Sequence, residues 1–182
     1  MALQPTRLEY RLTLSNVDRG RELTETVIVA RHPSETQAHV TLRMLAFCLL
    51  HEDGLAFGPG LSTPDSADLW THDLTGRLRT FIECGYVPGE RLRNVQKHNP
   101  DVAVHLLTDE PHRAKQLLDE LHQLKLPRAS SPVSVWTVDA GLVRALAERE
   151  ERRQKWSVTV VGDHFYVDAD GRLQDGAVSR ST

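Results

Sequence analysis

Cysteine, long apolar runs and surplus positive charge are all scarce in this chain, and each shortage closes off a class of protein. Its 182 residues contain two cysteines, which build no disulfide framework and fit a reducing compartment. Cys48 falls within an apolar helical pattern and reads as core filler. Cys84 has no orienting histidine near it in sequence, which argues against a nucleophile. The longest apolar runs, such as 44–50, are far too short to cross a bilayer. The opening Met-Ala-Leu-Gln-Pro has neither the charged start nor the apolar core of a signal peptide, so nothing directs export and a cytoplasmic location is expected. A formal charge of −3 argues against a strong sequence-independent grip on nucleic acid, while leaving room for a local groove. None of the nine histidines stands in a paired ligand spacing with another histidine or cysteine, so zinc is not expected. There is no internal repeat and no low-complexity segment.

What is present is the composition of a soluble globular protein, 40% apolar and 26% charged. Residues 1–170 read as one domain and 171–182 as a flexible tail. Alternation predicts strands over 7–14 and 24–31, joined by the polar Asn16-Val-Asp-Arg-Gly20 connection. Pro33-Ser34-Glu35-Thr36-Gln37 reads as a capping box, with Ser34 as the N-cap, Glu35 in the first turn and a buried stripe of Leu42, Leu45, Ala46 and Leu49 beyond it. The Gly- and Pro-rich residues 52–67 read as a long loop. Helices are expected over 88–98, 111–124 and 140–152, with strands at 102–107 and 133–138 and a closing hairpin of 156–161 and 164–168. The β–α–β alternation favours parallel pairing. Arg144, Arg149, Arg152, Arg153 and Lys155 are interleaved with Glu148, Glu150 and Glu151, which describes a solvated, ion-paired face rather than a nucleic-acid patch.

The stretch with the most chemical content is 68–83. Two β-favouring runs flank Thr75-Gly76, and a tight turn there would pair Leu74 with Arg77, Trp70 with Phe81, and Asp68 with Glu83. Cβ atoms so paired lie roughly 4.5–5.5 Å apart, and two carboxylates at that distance need a cation or a shared proton between them. A divalent metal is the expectation. Trp70 and Phe81, on the same side, read as core.

Several segments, taken in order, carry a family resemblance: Ala30-Arg-His-Pro-Ser-Glu-Thr36, Leu45-Ala-Phe47, Gly60-Leu-Ser62, Asp68-Leu-Trp70, Asp73-Leu-Thr-Gly76, and Ile82-Glu83 followed by Gly85. They resemble the YaeQ family of bacterial proteins over about residues 1–170, most strongly over 27–93. The resemblance implies an α/β fold with a restriction-endonuclease-like, PD-(D/E)XK core: a mixed central β-sheet flanked by helices, with N-terminal and C-terminal hairpins. It further implies that Asp68, Glu83 and the backbone carbonyl of Cys84 hold Mg²⁺, with Mn²⁺ as a substitute, against a scissile phosphate. Glu35 corresponds to the extra helix carboxylate of such folds, and Pro64-Asp65, despite its spelling, is not the metal motif. Arg31 is a candidate phosphate contact and His32 is not.

The departures bear on activity. The lysine usually found two residues after the glutamate is Gly85 here. Compensating cations would come from the following helix, where Arg91, Arg93 and Lys97 are available as catalytic or phosphate-contacting groups, while Tyr86 replaces a glutamine and Asn94 a lysine. Two functional readings stand open: a metal-dependent nuclease-like phosphodiesterase, and a non-catalytic nucleic-acid-binding or transcription-associated module on the same fold. Nucleic acid is the implied partner and no membrane is. The sequence does not set the oligomeric state, with which a monomer is compatible.

Overall fold

The computed structural model describes residues 4–59, 66–124 and 133–181, and among these it contains ten strands and four helices. The opening hairpin forms as its alternation requires. In β1 (Thr6–Asn16), Leu8, Tyr10, Leu12 and Leu14 face inwards while Arg7, Arg11 and Thr13 face out, and the strand pairs antiparallel with β2 (Arg21–Arg31) along its whole length. After α1 (Gln37–Leu50) come β3 (Ala56–Phe57), β4 (Leu69–His72) and β5 (Leu78–Cys84), so the long loop carries a short strand that pairs with β4. Gly60-Leu-Ser62 and Pro64-Asp65 lie outside the described residues. Then β5, α2 (Gly89–His98), β6 (Ala103–Thr108), α3 (Pro111–Gln123) and β7 (Ser134–Val138) form two successive β–α–β units with parallel strands, as the alternation predicts.

The end of the chain departs from expectation. Helix α4 (Ala140–Ala147) is shorter than the predicted 140–152, because β8 (Arg153–Val161) claims Arg153 and Lys155 as outward positions between the buried Gln154 and Trp156. β8 runs parallel to β1 and antiparallel to β9 (His164–Ala169). Residues 171–182, read as a tail, instead contain β10 (Arg172–Ser181). It pairs with β9 through Ala177 and with β7 from Val178 onward, so backbone ladders hold a segment whose side chains are too polar to announce it. The sheet order is β2-β1-β8-β9-β10-β7-β6-β5-β4-β3.

Two cores lie against this sheet. Helices α2 and α3 cover Phe81, Val104, Leu106 and Val135, while α1 and α4 cover Ile82, Leu107, Val158 and Phe165 together with the inner face of β1. Twelve of the fourteen residues of α1 are buried, including Arg43. The single stripe expected from Leu42, Leu45, Ala46 and Leu49 is therefore only part of its contact surface, since α1 touches β1, β5, β6, β8 and α4. Its cap also differs from the capping-box reading. Thr36 is the N-cap, its Oγ1 accepting the His39 N–H at 3.2 Å, whereas the Ser34 hydroxyl is engaged by His32 Nδ1 at 2.7 Å. Glu35 thus precedes the helix rather than occupying its first turn.

One partly buried contact between β6 and β7 predicts a pH response. The Trp136 indole N–H donates to His105 Nδ1 at 3.3 Å, which requires that nitrogen to be unprotonated. Burial, with Arg19 and Arg180 nearby, pushes the His105 pKa down from 6.5 to about 4. As pH falls below 6.5 the unfolded chain takes up this proton before the folded one does, so stability is lost with acidification. Measured against His105→Gln by urea denaturation, the wild type is expected to lose about 2 kcal/mol between pH 7 and pH 5. A difference that does not vary over that range would remove His105 as the titrating group.

Candidate functional site

The hairpin that brings Asp68 and Glu83 together reaches the expected register by an unexpected route. Leu69 pairs with Ile82, Trp70 with Phe81 and Thr71 with Thr80, as a tight Thr75-Gly76 turn would require. Yet Leu74 and Arg77 do not pair. The turn closes one residue earlier, with the Asp73 N–H donating to the Arg77 carbonyl at 2.9 Å and the Asp73 carboxylate accepting from the Thr75 and Arg77 amides. A bulge then places Arg79 without a partner between Leu78 and Thr80, and this restores the register. Asp68, one residue before β4, consequently faces the end of β5, where its Oδ2 accepts the Cys84 N–H at 2.8 Å. Trp70 and Phe81 belong to the core under α2 and α3, as expected.

Helix α1 lies across the same end of β5 and delivers two cations. Arg43 Nη1 donates to Glu35 Oε1 at 3.1 Å and to the Ala30 carbonyl at 3.2 Å, and its Nε lies 3.5 Å from Asp68 Oδ1; neither the Arg43 nor the Glu35 side chain is exposed. His39 donates from both ring nitrogens, through Nδ1 to Glu35 Oε1 at 2.7 Å and through Nε2 to the Cys84 carbonyl at 3.2 Å, with Asp68 Oδ2 3.4 Å from that same Nε2. From α2, Arg91 reaches Glu83 Oε1 through Nη2 at 2.6 Å and Nε at 2.8 Å, and also donates to the Ser66 carbonyl at 3.0 Å. Three carboxylates are thus matched by two guanidinium groups and one imidazolium.

Burial works against every charge in this cluster, and the pairings decide which charges survive. It would raise the Glu35 and Asp68 pKa values, but His39 and Arg43 hold both carboxyls below the usual range, assisted by the His32 and Cys84 amides. Burial would lower the His39 pKa, yet Asp68 and Glu35 lift it to about 10. Glu83 goes the other way: burial and the facing Asp68 push it up to about 7 against the pull of Arg91. Of the opposed pair, Asp68 keeps its charge and Glu83 is the carboxyl that takes up a proton.

Each of the three groups that the resemblance assigns to Mg²⁺ is therefore engaged through one oxygen. Asp68 Oδ2 and the Cys84 carbonyl face His39, and Glu83 Oε1 faces Arg91. Among the described residues, no group of three His, Cys, Asp or Glu side chains is placed to hold an ion. As arranged, this donor set does not fit a divalent cation, because an added double positive charge would meet three resident cations.

Of the other residues singled out from the sequence, Arg31 is tied to the segment before α1, with Nε donating to the Glu35 carbonyl at 3.1 Å and Nη1 to Gln37 Oε1 at 3.2 Å. Arg93 pairs with Glu90 at 3.2 Å on the outer side of α2, and Lys97 is exposed there; neither is brought into the cluster by a described contact. Gly85 explains its own departure from the usual lysine. Its φ of +80° belongs to the left-handed region, and its N–H donates to the Leu107 carbonyl at 2.8 Å, so a side chain there would strain the exit from β5. Tyr86 braces α3, its hydroxyl donating to Glu120 at 3.4 Å beneath the Arg113 guanidinium.

His39 and Arg43 are the residues of this cluster that the sequence reading missed. Their signal was legible: His39 and Arg43 are spaced four apart on α1, which puts both on the face towards Glu35, itself four residues before His39.

The sequence pattern of the family described as YaeQ protein matches residues 1–175. Two relatives carry the description "Uncharacterized protein YaeQ". The one from Salmonella typhi is 31% identical over 175 residues, covering 96% of this chain and 94% of the relative, and the one from Escherichia coli K12 is 29% identical over 170 residues, covering 93% and 92%. The crystal structure of YaeQ protein from Pseudomonas syringae superposes with a TM-score of 0.86 at 26% identity, covering 98% of this chain and 96% of that one. The YaeQ protein from Xanthomonas axonopodis pv. citri gives 0.84 at 24% identity, covering 97% of each chain. With fold, pattern and relatives in agreement over nearly the whole length, this chain belongs to the YaeQ family.

Proposed function

We propose that this chain is a nuclease-like, PD-(D/E)XK-type domain that binds nucleic acid without hydrolysing it. The observation that carries this reading is that every group suited to a catalytic metal is already engaged: Asp68 Oδ2 accepts the Cys84 amide, the Cys84 carbonyl accepts from His39, and Glu83 Oε1 accepts from Arg91. The binding half of the reading is supported by the ground beside the cluster. A cleft of about 600 Å³ lined by Arg91, Asn94 and His98 adjoins one of about 240 Å³ lined by Arg77, Arg79 and His98. Arg77 and Arg79 are exposed and, among the described residues, in no ion pair, so they are available to phosphates at low cost in desolvation.

Fluorescence anisotropy with labelled single- and double-stranded DNA and RNA tests the proposal. Arg77→Glu/Arg79→Glu is expected to weaken binding at least tenfold and to lower the slope of log K against log salt by about two, while the protein leaves every substrate intact in Mg²⁺ or Mn²⁺. Cleavage that disappears in Asp68→Ala would restore the metal-dependent nuclease reading. Binding that is absent, or indifferent to both arginines, would remove the nucleic-acid role.

A further inference from the structure

We infer that the His39 ring occupies the ion position of the carboxylate cluster: its Nε2 stands where a divalent ion would bridge Asp68 and the Cys84 carbonyl, so the metal site exists only when that ring is removed. The inference rests on the same cluster as the proposed function, but it concerns ion binding rather than nucleic acid.

The geometry is that of a substitution. Nε2 lies 3.4 Å from Asp68 Oδ2 and 3.2 Å from the Cys84 carbonyl oxygen, a carboxylate and a backbone oxygen that an ion held at the end of β5 would need together. The other nitrogen is anchored 2.7 Å from Glu35 Oε1, and Glu35 is in turn fixed by Arg43. The ring has little freedom to leave. His39 sits in the first turn of a helix that is buried almost all round, its own N–H bound to the Thr36 cap, and its Cδ2 lies 3.8 Å from where a Cβ at Gly85 would be.

Removing the ring leaves Glu35, Asp68 and Glu83 facing Arg43 and Arg91 alone, with an imidazole-sized gap among their oxygens. Mn²⁺ is the probe, titrated by calorimetry into wild type, His39→Ala and His39→Ala/Asp68→Asn, with thermal melts of each protein with and without the ion. Wild type is expected to show no saturable binding. His39→Ala should bind Mn²⁺ saturably and gain several degrees in Tm with it, and both effects should vanish in the double variant. Should His39→Ala not fold, His39→Asn carries the same test, its smaller side chain leaving most of the gap. Binding of Mn²⁺ by wild type that depends on Asp68 overturns the inference outright, as does a folded ring-deleted variant that binds no ion. If wild type binds Mn²⁺ yet cuts nothing, this inference falls and the proposed function stands; if wild type neither binds ion nor nucleic acid, the reverse holds.

Discussion

Arg43→Met is expected to lower the stability of the protein by about 4 kcal/mol and its Tm by roughly 10 °C, the largest effect of any single side-chain truncation around the carboxylates. The reason is the asymmetry of buried ion pairs. Arg43 and Glu35 are wholly withdrawn from water, and the guanidinium also donates to the Ala30 carbonyl at 3.2 Å and to the Gly58 carbonyl at 3.5 Å. Methionine fills the space and supplies none of these donors, leaving Glu35 with His39 as its one remaining cationic partner. The cost is that of an uncompensated buried charge, not of a lost attraction. Neutralising Glu35 as well should therefore recover at least half of the loss, so that Arg43→Met/Glu35→Gln melts above Arg43→Met. Urea denaturation of both variants measures this, and a single variant that falls by less than about 1 kcal/mol would show that the pair is not the anchor of α1.

Gly58→Ala should cost about 3 to 4 kcal/mol, at the upper end of what overpacking does. The Gly58 N–H donates to the Asp68 carbonyl at 2.9 Å, and a Cβ at this position would lie 1.9 Å from the Ala67 carbonyl oxygen and 3.1 Å from its carbon. Nothing there is the far end of a flexible side chain; the atoms in the way are main chain, in the segment just before β4 that presents Asp68. The substitution is expected to cut Tm by about 10 °C and to make residues 52–59 susceptible to limited proteolysis in the folded protein. An alanine variant that melts within 2 °C of wild type would mean that the two segments are not packed as described.

Both predictions turn on residues that the sequence makes hard to interpret, and the reasons are physical. Arg43 stands inside the apolar run of α1, where a charge ordinarily marks the exposed side; burial of the whole helix reverses that inference, and only contacts distant in sequence reveal it. Gly58 looks like one more loop glycine among several until Ala67 is brought against it. By contrast α2 was legible to within a residue, because Pro88 and Asn99-Pro100 set its ends through local backbone sterics. The opposition of Asp68 and Glu83 was also legible, although a turn and a bulge each shifted the register by one residue in compensating directions. The capping box failed at Ser34 because His32 competes for its hydroxyl. Strand β10 was illegible because its alternation is interrupted by Gly176 and because Leu173, its largest apolar side chain, is exposed.

That strand has a consequence in time as well as in space. Of the described strands β1 and β2 are made first, yet the inner edge of their hairpin is not covered until β8 arrives, and β9 and β7 have no partner between them until β10 is made. Through most of synthesis the nascent chain carries two partial sheets with open edges, and the last residues of the sheet weld them. Completion of the sheet thus waits on β10, and an unpaired edge of this kind is one to which a neighbouring chain can add a strand.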